Sequence, residues 1–232
     1  MSALMFAAPP VVTAPVRGSS TRVAIRRIFC VGRNYEAHAK EMGVVVDREA
    51  PFYFTKSAEH CVPSGSTVPY PPGTSNYHYE LELVVAIGAP AFRVSAEGAL
   101  DAVLGYACGL DMTRRDLQAA AREQRRPWDL GKDVEQSAVL SEIVRANEIG
   151  HPAAGLIGLT VNGELKQRAD ISQLIHKVPE VIAHLSTFYH LHPGDVIYTG
   201  TPEGVGPVQP GDSLEGAIDS VGTITLTIGP AE

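Results

Sequence analysis

The alternation of apolar and polar residues is clearest at residues 78–88, which read HYELELVVAIG. Side chains alternate faces along a β-strand, so Glu80 and Glu82 share one face while the neighbouring leucines share the other. An exposed edge pair of acids is one interpretation, but the apolar run that follows favours a central strand. The two Cα atoms would lie roughly 6.6 Å apart at about 3.3 Å rise per residue. Like charges at that separation repel, so the pattern calls for a compensating group.

Other apolar runs that end in glycine or turn residues predict further strands. We expect them in the segments RRIFCVG (26–32), PFYFTKS (51–57), GYACGLD (105–111) and DVIY (195–198), and beyond residue 206. The pair Asn162-Gly163 predicts a β-hairpin in LIGLTVNGELKQ.

Segments whose apolar residues have helical spacing are fewer than the predicted strands. A short helix is expected over 34–43, with Asn34 as its cap and Gly43 at its end. Three more are expected: one from Ser95 towards Gly105, one over RRDLQAAAREQ with Leu117, Ala120 and Ala121 towards the core, and one capped by Asp170 that has Pro179 near its start. Strands dominate, so the predicted class is α+β.

The length of 232 residues predicts a single domain. Residues 1–22 are rich in Pro, Ala, Ser and Thr, and we expect them to form an irregular lead-in to a catalytic domain over 23–232. No internal repeat is visible.

Charge and cysteine content narrow the function classes. The net charge is −7, from 19 basic and 26 acidic residues, which argues against a nucleic-acid-binding surface. The sequence contains no apolar run of about 18 residues, so it predicts no membrane-spanning helix. Three widely spaced cysteines, Cys30, Cys61 and Cys108, fit reduced thiols, and the first residues lack the pattern of a signal peptide. We therefore expect a cytoplasmic protein.

A divalent cation with oxygen ligands, such as Mg²⁺ or Mn²⁺, would offset the repulsion between Glu80 and Glu82. Asp111 is the best candidate for a third ligand, because it ends the apolar run GYACGLD, where an unpaired acid is costly. The alternative role for Asp111 is to cap the helix that follows.

Other candidate side chains are ambiguous when taken singly. His38 and Glu41 share one helical face and could form a base and its orienting partner, or a surface ion pair. Lys132 in WDLGKD could stabilise an anion or lie on the surface. The glycine-rich loop TGTPEGVG (199–206) could present N–H groups to a small carboxylate; it lacks the residues of a nucleotide-binding loop.

The order and spacing of these motifs resemble those of the fumarylacetoacetate hydrolase superfamily from about residue 26 to the end. The stretches RRIFCVGRNYEAHAKEMG and VPYPPGTSNYHYELELVVAIG are most similar to the acylpyruvate branch of this superfamily. Within that branch they most resemble the fumarylpyruvate hydrolases of gentisate-type aromatic degradation. The motifs that carry the resemblance are VGRNYEAHAKEMG, HYELELVVAIG, GLDMTRRDLQ, WDLGKD, LTVNGELKQ and DVIYTGTPEGVG.

The resemblance implies a β-rich mixed roll with peripheral helices, usually a homodimer, that acts on a small-molecule acylpyruvate. It also implies a role for each matching residue. The three acids that would bind Mg²⁺ or Mn²⁺ are Glu80, Glu82 and Asp111. The two residues that would activate water, on a lid segment near 33–48, are His38 and Glu41. The four residues that would contact the substrate's carboxylate and oxyanion oxygens are Lys132, Arg115, Gln118 and Thr201.

Three positions depart from the family pattern. Ser57 replaces the proline of FxKP, Tyr79 replaces the second histidine of HHE, and the stretch GKDV lacks the aromatic residue that follows AK in the family. The predicted metal ligands are intact. We therefore expect the departures to affect specificity, since Asp133 and Val134 follow Lys132 directly.

The implied reaction is hydrolysis of the C–C bond of an acylpyruvate, with the His38–Glu41 pair activating water and Lys132 helping the metal to hold the pyruvate enolate. Fumarylpyruvate would give fumarate and pyruvate. Arg125 and Arg126 could turn inward to a second substrate carboxylate or lie on the surface. The alternatives are oxaloacetate decarboxylation, keto-enol isomerisation, and a non-catalytic metal-stabilised binding module.

Overall fold

The computed structural model describes residues 4–43 and 50–232. Its strands are β1 (Thr13–Pro15), β2 (Arg22–Ala24), β3 (Arg27–Gly32), β4 (Phe52–Lys56), β5 (Cys61–Pro63), β6 (Ser66–Tyr70), β7 (Tyr77–Tyr79), β8 (Leu81–Ile87), β9 (Val103–Asp111), β10 (Thr113–Arg114), β11 (Ala138–Leu140), β12 (Val144–Arg145), β13 (Leu156–Val161), β14 (Glu164–Asp170), β15 (Asp195–Tyr198), β16 (Gly206–Pro207), β17 (Ser213–Ile218) and β18 (Gly222–Ala231). Its α-helices are α1 (Glu36–Glu41), α2 (Arg115–Glu123), α3 (Asp129–Lys132), α4 (Ala146–Ile149) and α5 (Val178–Phe188).

Two large mixed sheets form the body. The first has the strand order β4-β3-β15-β8-β9-β11-β5, with β12 paired to β9, and the second has the order β14-β13-β17-β18-β6. Most pairs are antiparallel, while β3 with β15, β5 with β11 and β6 with β18 are parallel. The expectation of a β-rich mixed fold with peripheral helices is confirmed.

Strand β8 is central and buried along its whole length, as its apolar run predicts. Leu81, Leu83 and Val85 point into the main hydrophobic core. The pattern therefore buries one face of the strand in the core and leaves the opposite face for the two acids. The predicted single strand is interrupted at Glu80, which lies between β7 and β8.

The predicted hairpin is present, with Asn162 and Gly163 both at positive φ (52° and 80°) in the turn between β13 and β14. The helix expected from Ser95 is wrong, because only one 3₁₀ turn forms at Ala99–Ala102. The stretch after Asp170 is two elements: Asp170 caps a 3₁₀ turn by accepting a hydrogen bond from Ser172 N, and α5 begins later with Pro179 in its first turn.

Helix α1 is not capped by Asn34. The Asn34 side chain is buried and instead donates to the carbonyls of His176 and Thr199, at 2.9 and 2.8 Å. It therefore ties the start of α1 to the loop that follows β15. The prediction of a cap is wrong because tertiary acceptors lie within reach of the amide.

Helix α2 also differs from its predicted orientation. Its buried residues are the polar Arg115 and Gln118, whereas Ala120 is exposed. The apolar spacing was misleading, because this helix packs its polar face over a buried charged cluster rather than over the apolar core.

Residues 4–12 carry no regular element, and β1 pairs with β2 just beyond them. Ala14 and Val16 are buried, so the second half of the lead-in packs on the body. The predicted lid segment near 33–48 is described only as far as residue 43; the remainder lies outside the described residues.

The three cysteines form no disulfide, in agreement with the expectation of reduced thiols. In the described parts of the chain, none of the helices has both the length and the apolar character needed to cross a bilayer.

Candidate active site

Three buried carboxylates converge at the ends of β8 and β9. In the antiparallel register, Glu82 lies opposite Gly109 and Leu81 opposite Leu110, so Glu80 faces Asp111 across the pair. The Asp111 N–H donates to the Glu80 carbonyl at 2.9 Å, which locks this alignment. One oxygen from each of Glu80, Glu82 and Asp111 lies within 4.8 Å of the others. Strand alternation and register together bring the predicted ligands to one point.

Basic groups surround two of the three acids. The ammonium of Lys132 lies 2.7 Å from both Glu80 Oε2 and Asp111 Oδ2, and it donates to Thr113 Oγ1 at 2.8 Å. Arg115 forms an ion pair with Glu80. Burial alone would raise the pKa of Glu80, but Lys132 and Arg115 hold it well below its ordinary value. Glu80 therefore stays ionised.

Glu82 is in a different position. Its Oε2 accepts a hydrogen bond of 2.6 Å from Gly200 N, and within the described ranges no ion pair reaches its carboxylate. Burial, and then the charges of Asp111 and Glu80, raise the pKa of Glu82 well above its ordinary value. A buried acid beside two others without a basic partner is the environment that a divalent cation stabilises, because the cation cancels the mutual repulsion. The cluster fits a hard cation with oxygen ligands.

A second pair faces this cluster from α1. His38 Nδ1 lies 3.1 Å from Glu41 Oε2, and Glu41 Oε1 accepts a hydrogen bond of 3.0 Å from Gly204 N. A carboxylate accepts hydrogen bonds, so the contact favours the tautomer in which the Nδ1 of His38 donates to Glu41 and its Nε2 carries the lone pair. Glu41 thus fixes the tautomer of His38 and anchors α1 to the glycine-rich loop 199–206.

The position of Lys132 depends on a close contact between α3 and α2. A Cβ at Gly131 would lie 2.8 Å from Gln118 N, so only glycine lets the two helices approach this closely. Lys132 is thereby placed beside Arg115 and Gln118. Burial would lower the pKa of Lys132, but Asp111 and Glu80 outweigh it and raise the pKa, so the side chain remains an ammonium.

Lys56 belongs to the same cluster, although sequence analysis did not single it out. Its ammonium lies 2.9 Å from Asp111 Oδ1 and donates to Ser137 Oγ at 2.7 Å. It also donates to the Lys132 carbonyl, so it links the acid cluster to the end of α3. Its place in the FxKP pattern was the available signal, although strand periodicity alone does not distinguish it from a surface lysine.

Thr201 lies at the cleft, but its hydroxyl is already engaged. It donates to the Leu81 carbonyl at 2.9 Å and accepts from Gln167 Nε2 at 2.8 Å. Gln167, from β14, also accepts from Leu81 N at 3.0 Å. With its single proton committed, the Thr201 side chain can only accept a further hydrogen bond. Gln167 is a buried polar anchor of the loop that the sequence did not reveal.

One cleft unites the predicted residues. His38, Lys132, Arg115, Gln118 and Thr201 all line it. Glu80 and Glu82 also line it, while Asp111 lies beneath them, fully buried. Glu41 stands behind His38 and contacts it rather than the cleft. The alternative in which Asp111 caps a helix is wrong, because α2 begins at Arg115 and the Asp111 carboxylate contacts Lys132 and Lys56.

Two of the departures from the family pattern contact each other just behind Lys132. Ser57 donates to Asp133 through both its backbone N–H and its hydroxyl, at 2.7 and 2.8 Å. His60 Nδ1 lies 2.7 Å from the same carboxylate. These contacts join the end of β4, and so Lys56, to the end of α3, and so Lys132. The departures thus form a clamp outside the cleft rather than a part of its lining.

The arrangement has the parts required for metal-assisted hydrolysis of a small anion. It offers an acid cluster able to bind a hard cation, a histidine base that lines the cleft, and cationic side chains for carboxylate or oxyanion oxygens. All of these groups are held by strands, helices or buried hydrogen bonds rather than by exposed loops alone.

The chain is similar in sequence to enzymes of known activity. A fumarylpyruvate hydrolase from Ralstonia sp is 57% identical over 193 residues, covering 82% of this chain and 100% of that protein. A mitochondrial oxaloacetate tautomerase from Bos taurus is 41% identical over 196 residues, covering 84% and 88% of the two chains.

Solved structures agree with the sequence relatives. The crystal structure of fumarylpyruvate hydrolase from Pseudomonas aeruginosa in complex with Mn²⁺ and pyruvate superposes with a TM-score of 0.95 at 47% identity, covering 98% of this chain and 100% of that one. The family model for the fumarylacetoacetate (FAA) hydrolase C-terminal region matches residues 27–229. The chain therefore belongs to the fumarylacetoacetate hydrolase family.

Proposed function

We propose that this protein is a divalent-metal-dependent hydrolase that cleaves the C–C bond of an acylpyruvate, with fumarylpyruvate as substrate and fumarate and pyruvate as products. The observation that carries the proposal is that one cleft holds both the buried acid cluster and the His38–Glu41 pair. In that cleft the base could activate the water that hydrolysis requires. The 57% identity to a fumarylpyruvate hydrolase supports the choice of substrate.

Glu80, Glu82 and Asp111 would hold the metal, which we propose is Mg²⁺ or Mn²⁺ because both prefer oxygen ligands. Bound there, the ion would polarise substrate oxygens and stabilise negative charge. The relative from Pseudomonas aeruginosa was crystallised with Mn²⁺ and pyruvate, which supports this assignment. A bound cation would favour the ionised form of Glu82 and so offset the rise in its pKa.

Lys132, Arg115 and Gln118 bind and orient the substrate's pyruvoyl end. The three N–H donors of Lys132 are engaged by Glu80, Asp111 and Thr113 in this arrangement. Once a cation neutralises the two carboxylates, the ammonium can turn its donors to substrate oxygens. Lys132 thus acts first as a counter-ion and then as a ligand for the developing oxyanion.

His38 acts as the general base. Its Nε2 takes a proton from water, and the resulting hydroxide adds to the carbonyl carbon farther from the carboxylate of the pyruvoyl end. The C–C bond on the pyruvoyl side of that carbon then breaks, and its electron pair leaves with the pyruvate fragment as an enolate. His38-H⁺ then protonates the terminal carbon of that enolate, which gives pyruvate, while the attacked carbon leaves as the carboxyl group of the other product. Glu41 stabilises the imidazolium that forms in between.

Keto-enol isomerisation of oxaloacetate is the second candidate. It is supported by the 41% identity to an oxaloacetate tautomerase, and it needs proton transfer but no attacking water. The same His38 could serve it. Hydrolysis is favoured because the fumarylpyruvate hydrolase relative is more similar to this chain, and over its whole length.

We further propose that the enzyme acts in gentisate-type aromatic degradation in the cytoplasm, as a homodimer. The proposed reaction consumes the kind of acylpyruvate that ring cleavage of a gentisate-like compound produces. Exposed apolar side chains in the lead-in, Leu4, Met5 and Phe6, offer surface that a second subunit could cover. We also propose that residues 23–232 form one catalytic domain with a lid segment near residues 33–48.

The proposal is tested by treating the purified protein with a chelator, reloading it with Mn²⁺ or Mg²⁺, and incubating it with fumarylpyruvate. Pyruvate and fumarate should appear in equal amounts only in the reloaded samples. Fumarylpyruvate that stays intact, or that only equilibrates between keto and enol forms, would contradict hydrolysis.

A further inference from the structure

The cleft continues beyond the acid cluster to a second end whose charged side chains, among the described residues, are two arginines. Arg115, Gln118 and Arg122 are spaced i, i+3 and i+7 on α2, so they lie along one helical face. At about 1.5 Å rise per residue, Arg122 lies roughly 10 Å along the helix axis from Arg115. Arg122 lines the cleft together with Arg33. The two arginines therefore mark the end of the cleft farther from Glu80.

Arg33 is held there by aromatic rings. Its guanidinium carbon lies 5.6 Å from the centre of the Phe52 ring and 5.7 Å from that of Trp128. Among the described residues no carboxylate pairs with it. Burial and the charge of Arg122 lower the pKa of Arg33, so the two cations are near enough to repel. The guanidinium nevertheless stays charged.

The backbone is adapted to present Arg33. Its φ is 57°, in the left-handed region that non-glycine residues rarely adopt. The preceding Gly32 permits the approach of Phe52, since a Cβ there would lie 1.9 Å from Phe52 Cε1.

Arg122 connects this end of the cleft to the helix that carries the base. Its Nη1 donates to the Met42 carbonyl at 3.2 Å, just after the end of α1. Arg33 lies just before the start of α1. The two cations therefore bracket the helix that bears His38.

Charge differs sharply between the two ends of the cleft. At the inner end, Glu80 and Asp111 form ion pairs with Lys132, Arg115 and Lys56, and Glu82 lies beside them. At the outer end, Arg33 and Arg122 face the cleft without an acidic partner in the part of the chain that the structure describes. A planar guanidinium matches a carboxylate in geometry as well as in charge.

We propose that Arg33 and Arg122 bind the second carboxylate of a dianionic acylpyruvate and so select dicarboxylate over monocarboxylate substrates. The inference rests on the proposed function, since it names the group that recognises the fumaryl end of its substrate. The carboxylates of fumarylpyruvate stand at opposite ends of its chain, as Lys132 at the inner end of the cleft and the two arginines at its outer end do. Arg125 and Arg126, the other candidates for this role, are exposed.

The test compares two substrates that differ at the far end. Arg33→Gln and Arg122→Gln should each lower kcat/KM for fumarylpyruvate about ten- to hundredfold, the scale of one or two lost charge-assisted hydrogen bonds. Their kcat/KM for acetylpyruvate, which has a methyl group instead, should change less than about threefold. Arg125→Gln is the matched control, because it removes the same charge from an exposed position near the end of the same helix, and it should leave both values unchanged.

A binding measurement separates recognition from catalysis. Trp128 is the only tryptophan of the chain and lies against Arg33, so its fluorescence reports on this end of the cleft. Fumarate should change the fluorescence of the parent and of Arg125→Gln saturably, and should bind at least tenfold more weakly to Arg33→Gln and Arg122→Gln. Calorimetric titration with fumarate provides the same dissociation constants without relying on tryptophan fluorescence.

The outcomes are distinct. Equal losses for both substrates, or unchanged fumarate binding in the two variants, would overturn the assignment of Arg33 and Arg122. A loss of selectivity in Arg125→Gln instead would transfer the role to the exposed arginines. A parent enzyme that cleaves neither acylpyruvate but binds fumarate through these arginines would reject the proposed function while retaining the carboxylate site.

Discussion

The ammonium of Lys56 lies 2.9 Å from Asp111 Oδ1, and both side chains are completely buried. This contact connects β4 to the end of β9, two segments that are far apart in sequence. Because Lys56 also donates to the Lys132 carbonyl, it fixes the acid cluster and the neighbouring lysine relative to each other.

Lys56→Met should therefore destabilise the protein. It leaves a buried acid with one basic partner fewer and removes the donor from the Met112 carbonyl and Ser137, for an expected loss of about 3 kcal/mol in the free energy of unfolding. Urea denaturation of the parent and the variant measures this loss of stability. Lys40→Met is the control, because Lys40 is exposed on α1, and it should cost less than about 0.5 kcal/mol. Equal effects would show that the buried contact contributes little.

Glu82→Gln tests the metal cluster. The amide keeps the shape of the side chain and can still accept from Gly200 N, and it resembles the protonated acid that the raised pKa implies. Stability without metal should therefore be retained, whereas Mn²⁺ affinity should fall at least tenfold and activity should be lost. Calorimetric titration of the parent and the variant with Mn²⁺ measures the two affinities. A variant that binds Mn²⁺ as tightly as the parent would refute the assignment of Glu82 as a ligand.

His38→Ala tests the base. Removing a general base slows catalysis by about a hundredfold or more, so hydrolysis should fall by at least that factor. Mn²⁺ binding should survive, because His38 is not one of the three carboxylates. Single-turnover measurement of pyruvate release separates this effect from changes in binding. Undiminished turnover would place the base elsewhere and favour the reactions that need no attacking water.

The Asp133 clamp gives a prediction that depends on pH. Burial would raise the pKa of Asp133, but hydrogen bonds from Ser57 and His60 hold it below its ordinary value. A carboxyl whose pKa is lowered by folding stabilises the protein above its unfolded pKa of about 4, and that contribution is lost as the pH falls through the lower folded value.

Asp133→Asn should accordingly be less stable than the parent by about 1 kcal/mol at neutral pH, the scale of one hydrogen bond. The difference should shrink below about pH 4. Thermal unfolding of both proteins across this range provides the comparison. A difference that grows as the solution becomes more acidic would contradict the sign of the argument.

Sequence analysis located much of this site because its signals were local. Strand alternation placed Glu80 and Glu82 on one face, the end of an apolar run marked Asp111, and helical spacing paired His38 with Glu41. Each of these depends on neighbours within a few residues. The hairpin at Asn162-Gly163 was predictable for the same reason.

The parts that escaped prediction depend on contacts between distant segments. Lys56 and Gln167 reach the site only because β4 and β14 pack where they do, and neither position has a periodic signal. Helix α2 was assigned the wrong buried face, since its apolar spacing outweighed the polar pair that the charged cluster actually buries. Arg33 was missed because its role depends on an unusual φ and on rings from other segments.

The central claim is that this cleft hydrolyses an acylpyruvate with a carboxylate at its far end. The most direct test is kcat/KM of the Mn²⁺-loaded enzyme for fumarylpyruvate, acetylpyruvate and oxaloacetate, measured under identical conditions by release of products. We predict the highest value for fumarylpyruvate, a lower one for acetylpyruvate and the lowest for turnover of oxaloacetate. An enzyme that turned over oxaloacetate best, with only marginal cleavage of both acylpyruvates, would contradict the claim.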